Sequence, residues 1–119
     1  MTHRVALAVM PSSPERDRLM QYFRDCNYSP ITALVSVPED FKTITAPAVA
    51  VVDLNLPRSR TLVDFIRESY PDTCILGIPT KDEDPKTQPK IHLYGGNLSL
   101  EYELRLLLAH QALLDSGWL

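Results

Sequence analysis

The chain has 119 residues, 45% hydrophobic and 23% charged, the balance of one globular domain with a single core rather than a disordered segment. A formal net charge of -3 provides no basic face for nucleic acid, so direct nucleic-acid contact is not expected. The apolar stretch after Met1-Thr2-His3-Arg4, from Val5 to Met10, is far short of a signal-peptide core or a membrane span, and a cytoplasmic protein without a membrane segment is expected. Cys26 and Cys74 stand in no metal-ligand spacing and are too few to frame a disulfide scaffold, which predicts two reduced, packed thiols.

Val5-Ala6-Leu7-Ala8-Val9-Met10, closed by Pro11-Ser12-Ser13-Pro14, predicts a first buried strand and a loop. Ser13 as N-cap, Pro14 at the first helical position, and Glu15 and Asp17 in the first turn open a helix. Its stripe of Leu19, Met20, Tyr22 and Phe23 runs to about Cys26, with Asn27 as the stop. Ile31 to Val35 reads as a second strand, and Val37-Pro38-Glu39-Asp40-Phe41 as the start of a short second helix. Ala48-Val49-Ala50-Val51-Val52 is an unbroken apolar run ending in Asp53, as a strand buried on both faces of a parallel sheet requires. A carboxylate at that end sits where open α/β sheets place their sites.

Leu62, Val63, Phe65 and Ile66 supply the next helical stripe, which stops at Tyr70-Pro71-Asp72. Cys74 to Ile78 makes a fourth strand ended by Pro79. From Thr80 to Lys90 the chain is polar, holds two prolines and has no face to bury, so a loop is expected where a helix would complete the alternation. Ile91-His92-Leu93-Tyr94 forms a short fifth strand before Gly95-Gly96, and Leu98 to about Leu114 a leucine-rich helix capped by Asn97 or Ser99. Strands alternating with helices predict right-handed crossovers and a mainly parallel sheet covered on both faces.

The segment Val51-Val52-Asp53-Leu54-Asn55-Leu56-Pro57 strongly resembles the phospho-acceptor strand and loop of response-regulator receiver domains of two-component systems. Tyr70-Pro71-Asp72-Thr73 and Leu98-Ser99-Leu100-Glu101 are also similar to receiver patterns, and with the element order the resemblance covers essentially the whole chain. It implies a flavodoxin-like fold of five parallel strands over residues 1–119, with Asp53 at the phospho-acceptor position.

Receiver chemistry also requires neutralisation of the incoming phosphoryl charge. The resemblance implies an acidic pair after strand one that holds Mg²⁺, yet Met10-Pro11-Ser12-Ser13-Pro14 carries no carboxylate before Glu15. It implies a lysine after strand five, where this chain has Gly96, and a Ser or Thr after strand four, where it has Pro79 with Thr80 one place on. With Pro11, Ser12, Pro79 and Gly96 at these positions, the chain resembles the degenerate subset called pseudo-receivers or atypical receivers. The expectation is a signalling module that works by protein contact, with no enzymatic turnover, no cofactor and no metal. Two alternatives stay open: a genuine phospho-accepting receiver using Asp53, Thr80 as switch and atypical Mg²⁺ ligation, or a small flavin- or nucleotide-binding domain of the same fold.

Asp53 has a bland role as well, capping the amides of the loop that follows it. His3, His92 and His110 are scattered singly and read as surface or packed histidines, and Gly95-Gly96 as a tight strand-to-helix connection. Lys81-Asp82-Glu83-Asp84 reads as a solvated loop that could dock a basic partner. The leucines of the last helix spread around more than one face, which predicts a homodimer or a docking surface for a neighbouring domain through Leu106, Leu113 and the Trp118-Leu119 end. The ending Leu114-Asp115-Ser116-Gly117-Trp118-Leu119 has no obvious stop, which leaves open an output domain in a longer regulator or kinase.

Overall fold

The computed structural model describes residues 4–33, 46–80, 91–115 and 117. The described elements, in chain order, are β1 (Arg4–Val9), α1 (Pro14–Asp25), β2 (Tyr28–Ala33), β3 (Val49–Asp53), α2 (Ser59–Ser69), β4 (Cys74–Ile78), β5 (His92–Leu93) and α3 (Leu100–Asp115). The five strands form one all-parallel sheet in the order β2-β1-β3-β4-β5, a flavodoxin-like α/β fold. Among the described residues, no helix is long and apolar enough to cross a membrane.

The alternation of side chains along each strand sends one residue set to each face. Ala6, Ala8, Met10, Val49, Val51 and Leu76 face α1 and α3, meeting Leu19, Met20, Phe23, Leu100 and Leu104. Leu7, Val9, Ala50, Val52 and Ile75 face the other way and pack against Leu62, Val63 and Ile66 of α2. Both faces of β1 and β3 are therefore dry, which is why their sequences are apolar without interruption.

The local signals act as expected. Ser13 caps α1, its Oγ accepting from Arg16 N–H at 3.0 Å, with Pro14 as the first helical residue. The chain leaves α1 through Asn27, at φ +64, a left-handed conformation that asparagine tolerates. Thr73 Oγ1 donates to Pro47 O at 2.5 Å, fixing the start of β4 beside the entry to β3.

β1 is shifted one residue toward the amino terminus of its expected span, and three other boundaries differ from the sequence reading. β2 begins at Tyr28 rather than Ile31, because an edge strand tolerates Pro30, whose missing N–H costs no ladder bond on the open side. β5 is reduced to His92 and Leu93. α3 begins at Leu100, with Ser99 O accepting from Glu103 N–H at 3.0 Å, so Ser99 occupies the cap position and Leu98 lies in the loop. A further correction concerns Cys26, which is exposed rather than packed: helical geometry ends at Asp25, and Cys26 leaves the buried stripe as the C-cap. Cys74 is half-buried at the start of β4. The helix expected from Val37, the segment from Lys81 to Lys90, and Trp118-Leu119 lie outside the described residues.

Candidate functional site

Asp53 is the last residue of β3 and is half-buried at the carboxyl edge of the sheet, between the ends of β1 and β4. Its Oδ1 accepts two hydrogen bonds from one neighbour, the backbone N–H of Asn55 at 2.9 Å and the Asn55 side-chain amide at 2.7 Å. This is an Asx turn, in which the carboxylate serves as the turn's own acceptor. Asn55 Nδ2 also reaches the carbonyl of Pro79 at 3.4 Å, and Leu54 N–H donates to Ile78 O at 3.0 Å. The loop after β3 is thereby strapped to the end of β4. Ser59, buried at the start of α2, closes the loop by donating from Oγ to Leu54 O at 3.1 Å. Arg58 takes a left-handed backbone at φ +61 to make the turn into α2.

Beside Asp53 runs a cleft of about 480 Å³, lined by Met10, Pro11, Ser13, Glu15, Arg18 and Ile78 among others. Pro11 and Ser12 are exposed and contribute no carboxylate. Glu15, in the first turn of α1, is the other acidic residue on the cleft wall. The cation on that wall, Arg18, is paired with Glu101 of α3 at 3.5 Å. Among the described residues, no three His, Cys, Asp or Glu side chains are grouped to hold a metal ion. A Mg²⁺ bound wholly by protein carboxylates does not fit this donor set.

The other positions singled out by the resemblance, Pro79, Thr80 and Gly96, follow the ends of β4 and β5. Pro79 is half-buried, and its carbonyl is the acceptor for Asn55. The Thr80 hydroxyl oxygen is buried and has no hydrogen-bond partner among the described residues. Gly96, where the resemblance asks for a lysine, is exposed at φ +83, a left-handed conformation that a side chain would strain.

Between Gly96 and the sheet, Glu103 of α3 accepts Gly95 N–H with both carboxylate oxygens, at 3.0 and 3.2 Å. Glu103 Oε1 also lies 3.7 Å from His92 Nε2. Tyr94 N–H donates to Gly77 O at 2.8 Å and its hydroxyl to Leu98 O at 2.5 Å. Burial, followed by the negative charges of Glu15, Glu103 and Glu101, raises the Tyr94 pKa. Sequence reasoning marked His92 as isolated and did not single out Glu103. Spacing gave no signal for this contact, because it joins a strand and a helix across a glycine loop.

On α3, Leu106 and Leu113 are exposed, as expected, whereas Trp118 lies outside the described residues. Compared with family models and with curated proteins, the chain matches none.

Proposed function

We propose that this domain is a degenerate receiver-like module that takes part in signal transduction through protein contact, without accepting a phosphoryl group by the Mg²⁺-dependent route and without turning over a substrate. The observation that carries the reading is the engagement of Asp53 Oδ1 by Asn55 at 2.7 and 2.9 Å. A working acceptor needs preorganised cations aimed at the developing phosphoryl charge. The nearby Arg18 is spent on Glu101, and the lysine position is a left-handed glycine. The residues around Asp53 therefore favour a loop cap over a nucleophile.

The test is a titration with beryllofluoride, and separately with acetyl phosphate, in millimolar Mg²⁺, followed by amide resonances of Asp53, Leu54 and Thr80. No displacement of these resonances is expected. Saturable shifts centred on Asp53 would instead support the second reading, a genuine receiver with atypical ligation. That reading has two observations in its favour: Glu15 and Asp53 line one cleft, and the Thr80 hydroxyl has no partner among the described residues.

A further inference from the structure

β5 pairs with β4 only as Leu76 with His92 and Gly77 with Leu93, and Tyr94 N–H adds a bond to Gly77 O at 2.8 Å. On its other side a single carboxylate ties it to α3. Glu103, in the first turn of that helix, accepts Gly95 N–H with both oxygens, at 3.0 and 3.2 Å, and its Oε1 lies 3.7 Å from His92 Nε2. One side chain thus joins the helix to the strand and to the glycine loop that follows it.

The contact with His92 depends on charge. At 3.7 Å a neutral imidazole is beyond hydrogen-bonding distance, and the carboxylate attracts it appreciably only once the ring is protonated. Histidine is the side chain that ordinarily changes charge between about pH 5 and 8. The His92 side chain is 48% exposed and Glu103 only 16%, so the ring trades protons with solvent while the acid stays in place.

His92 lines two clefts. In the first, its titratable neighbours are Glu103 and His110 of α3; in the second they are Arg67 of α2 and Cys74 of β4. Among the described residues lining these clefts, Glu103 is the sole carboxylate, whereas Arg67 and a protonated His110 repel a charged ring. Glu101, two residues away on α3, is turned to Arg18 at 3.5 Å.

We propose that His92 and Glu103 form a pH-sensitive clasp on the β5 border of the sheet. In mildly acidic solution the imidazolium and the Gly95 amide hold the carboxylate from two sides, and loss of the imidazole proton slackens the link between β5 and α3. A charged His92 meets its carboxylate only in the closed border, so this contribution is present in mild acid and is lost as pH rises and the ring gives up its proton. Acid strong enough to neutralise Glu103 opens the clasp from the other side. An exposed ion pair is a small term for the whole domain, but it matters for a margin paired at two positions, which opens locally. His92 and Glu103 also line the mostly apolar groove of about 490 Å³ beside α3, so opening the clasp reshapes that wall. The clasp is built without Asp53 and acts whether or not that carboxylate takes a phosphoryl group.

The test is a titration of the full chain from about pH 5 to about 8, following the amide resonances of Leu93 and Gly95 and their hydrogen-exchange protection relative to Val51 in β3. The Gly95 amide is expected to shift along the same curve as the His92 ring signals. Its protection is expected to fall roughly two- to fivefold across the range, the span of an exposed ion pair. His92→Gln, at an exposed position, is expected to keep the circular dichroism spectrum and to leave Gly95 indifferent to pH, while His110→Gln retains the response. Glu103→Gln, which keeps an oxygen for the Gly95 amide but no charge, is expected to abolish the fall in protection. A wild-type Gly95 amide that ignores pH, a response that survives His92→Gln, or one that vanishes with His110→Gln would overturn the proposal.

Discussion

Asp53 and Asn55 form a closed local pair, in which a single carboxylate oxygen holds both the backbone and the side-chain N–H of the residue two places on. Asn55→Ala removes one arm of this pair together with the strap to Pro79, and is expected to cost about 1 kcal/mol in urea unfolding. Asp53→Ala removes both arms and is expected to cost about 1–2 kcal/mol. An Asp53→Ala chain as stable as the wild type would contradict the capping role.

Tyr22 gives an alkaline signature. Burial first, then its hydrogen bond to Cys26 and the charges of Cys26 and Tyr28, push its pKa from 10.0 up to about 12, against a lowering effect of Arg105. Between these values the unfolded chain has lost a proton that the folded chain still holds, so stability falls as pH rises through that window. Tyr22→Phe is expected to flatten the decline between pH 10 and about 12, as measured by unfolding at a series of alkaline pH values.

Gly77 sits in β4 where a methyl group would lie 2.7 Å from Ile91 Cδ1, 3.2 Å from Leu54 Cδ1 and 3.3 Å from Leu93 Cδ2. Each of these atoms is the free end of a side chain, so Gly77→Ala is expected to cost less than about 1 kcal/mol as the neighbours give way. Gly77→Leu has nowhere to go and is expected to cost roughly 1–3 kcal/mol or more. A flat response across this pair would show that the sheet edge is looser than these contacts.

The two faces of α3 separate cleanly by mutation. Leu104→Ala empties a fully buried site and is expected to cost about 2–5 kcal/mol. Leu106→Ala, measured under conditions where the chain is monomeric, is expected to change stability by less than about 0.5 kcal/mol. Equal losses at the two positions would place Leu106 in the core.

Gly96→Lys restores the residue type that the receiver resemblance implies. The φ of +83 makes this a strained position, and the variant is expected to lose about 1 kcal/mol of stability in thermal or urea unfolding. It is also expected to leave the beryllofluoride titration flat, because the Asx turn at Asp53 is unchanged. A stabilised variant would mean that the loop readily abandons the left-handed turn.

Much of this architecture was legible in the residues because it depends on short-range pattern. The apolar runs of β1 and β3 announce burial on both faces, and Ser13-Pro14 marks the start of α1 without tertiary help. Asp53 as a loop cap was also readable, since Asn55 is only two residues away. The bond from Asn55 to Pro79 crosses 24 residues and depends on β3 lying beside β4, which no local spacing encodes. The same holds for Glu103, whose partners are a loop amide and a strand histidine. Cys26 misled because its phase on an ideal helix is inward, and the helix stops one residue before it. The leucines of α3 signalled more than one apolar face, but only the burial of Leu100 and Leu104 identifies which residues form the outer one.

The brevity of β5 has a further consequence. Its pairing with β4 covers only Leu76 with His92 and Gly77 with Leu93, whereas β1 and β2 pair over six positions. Amides at that margin are therefore expected to exchange with solvent through local opening, and those of β1 and β3 only on global unfolding. The domain thus has a soft border that a binding event can reshape at small energetic expense, next to a rigid interior that keeps the rest of the surface in register.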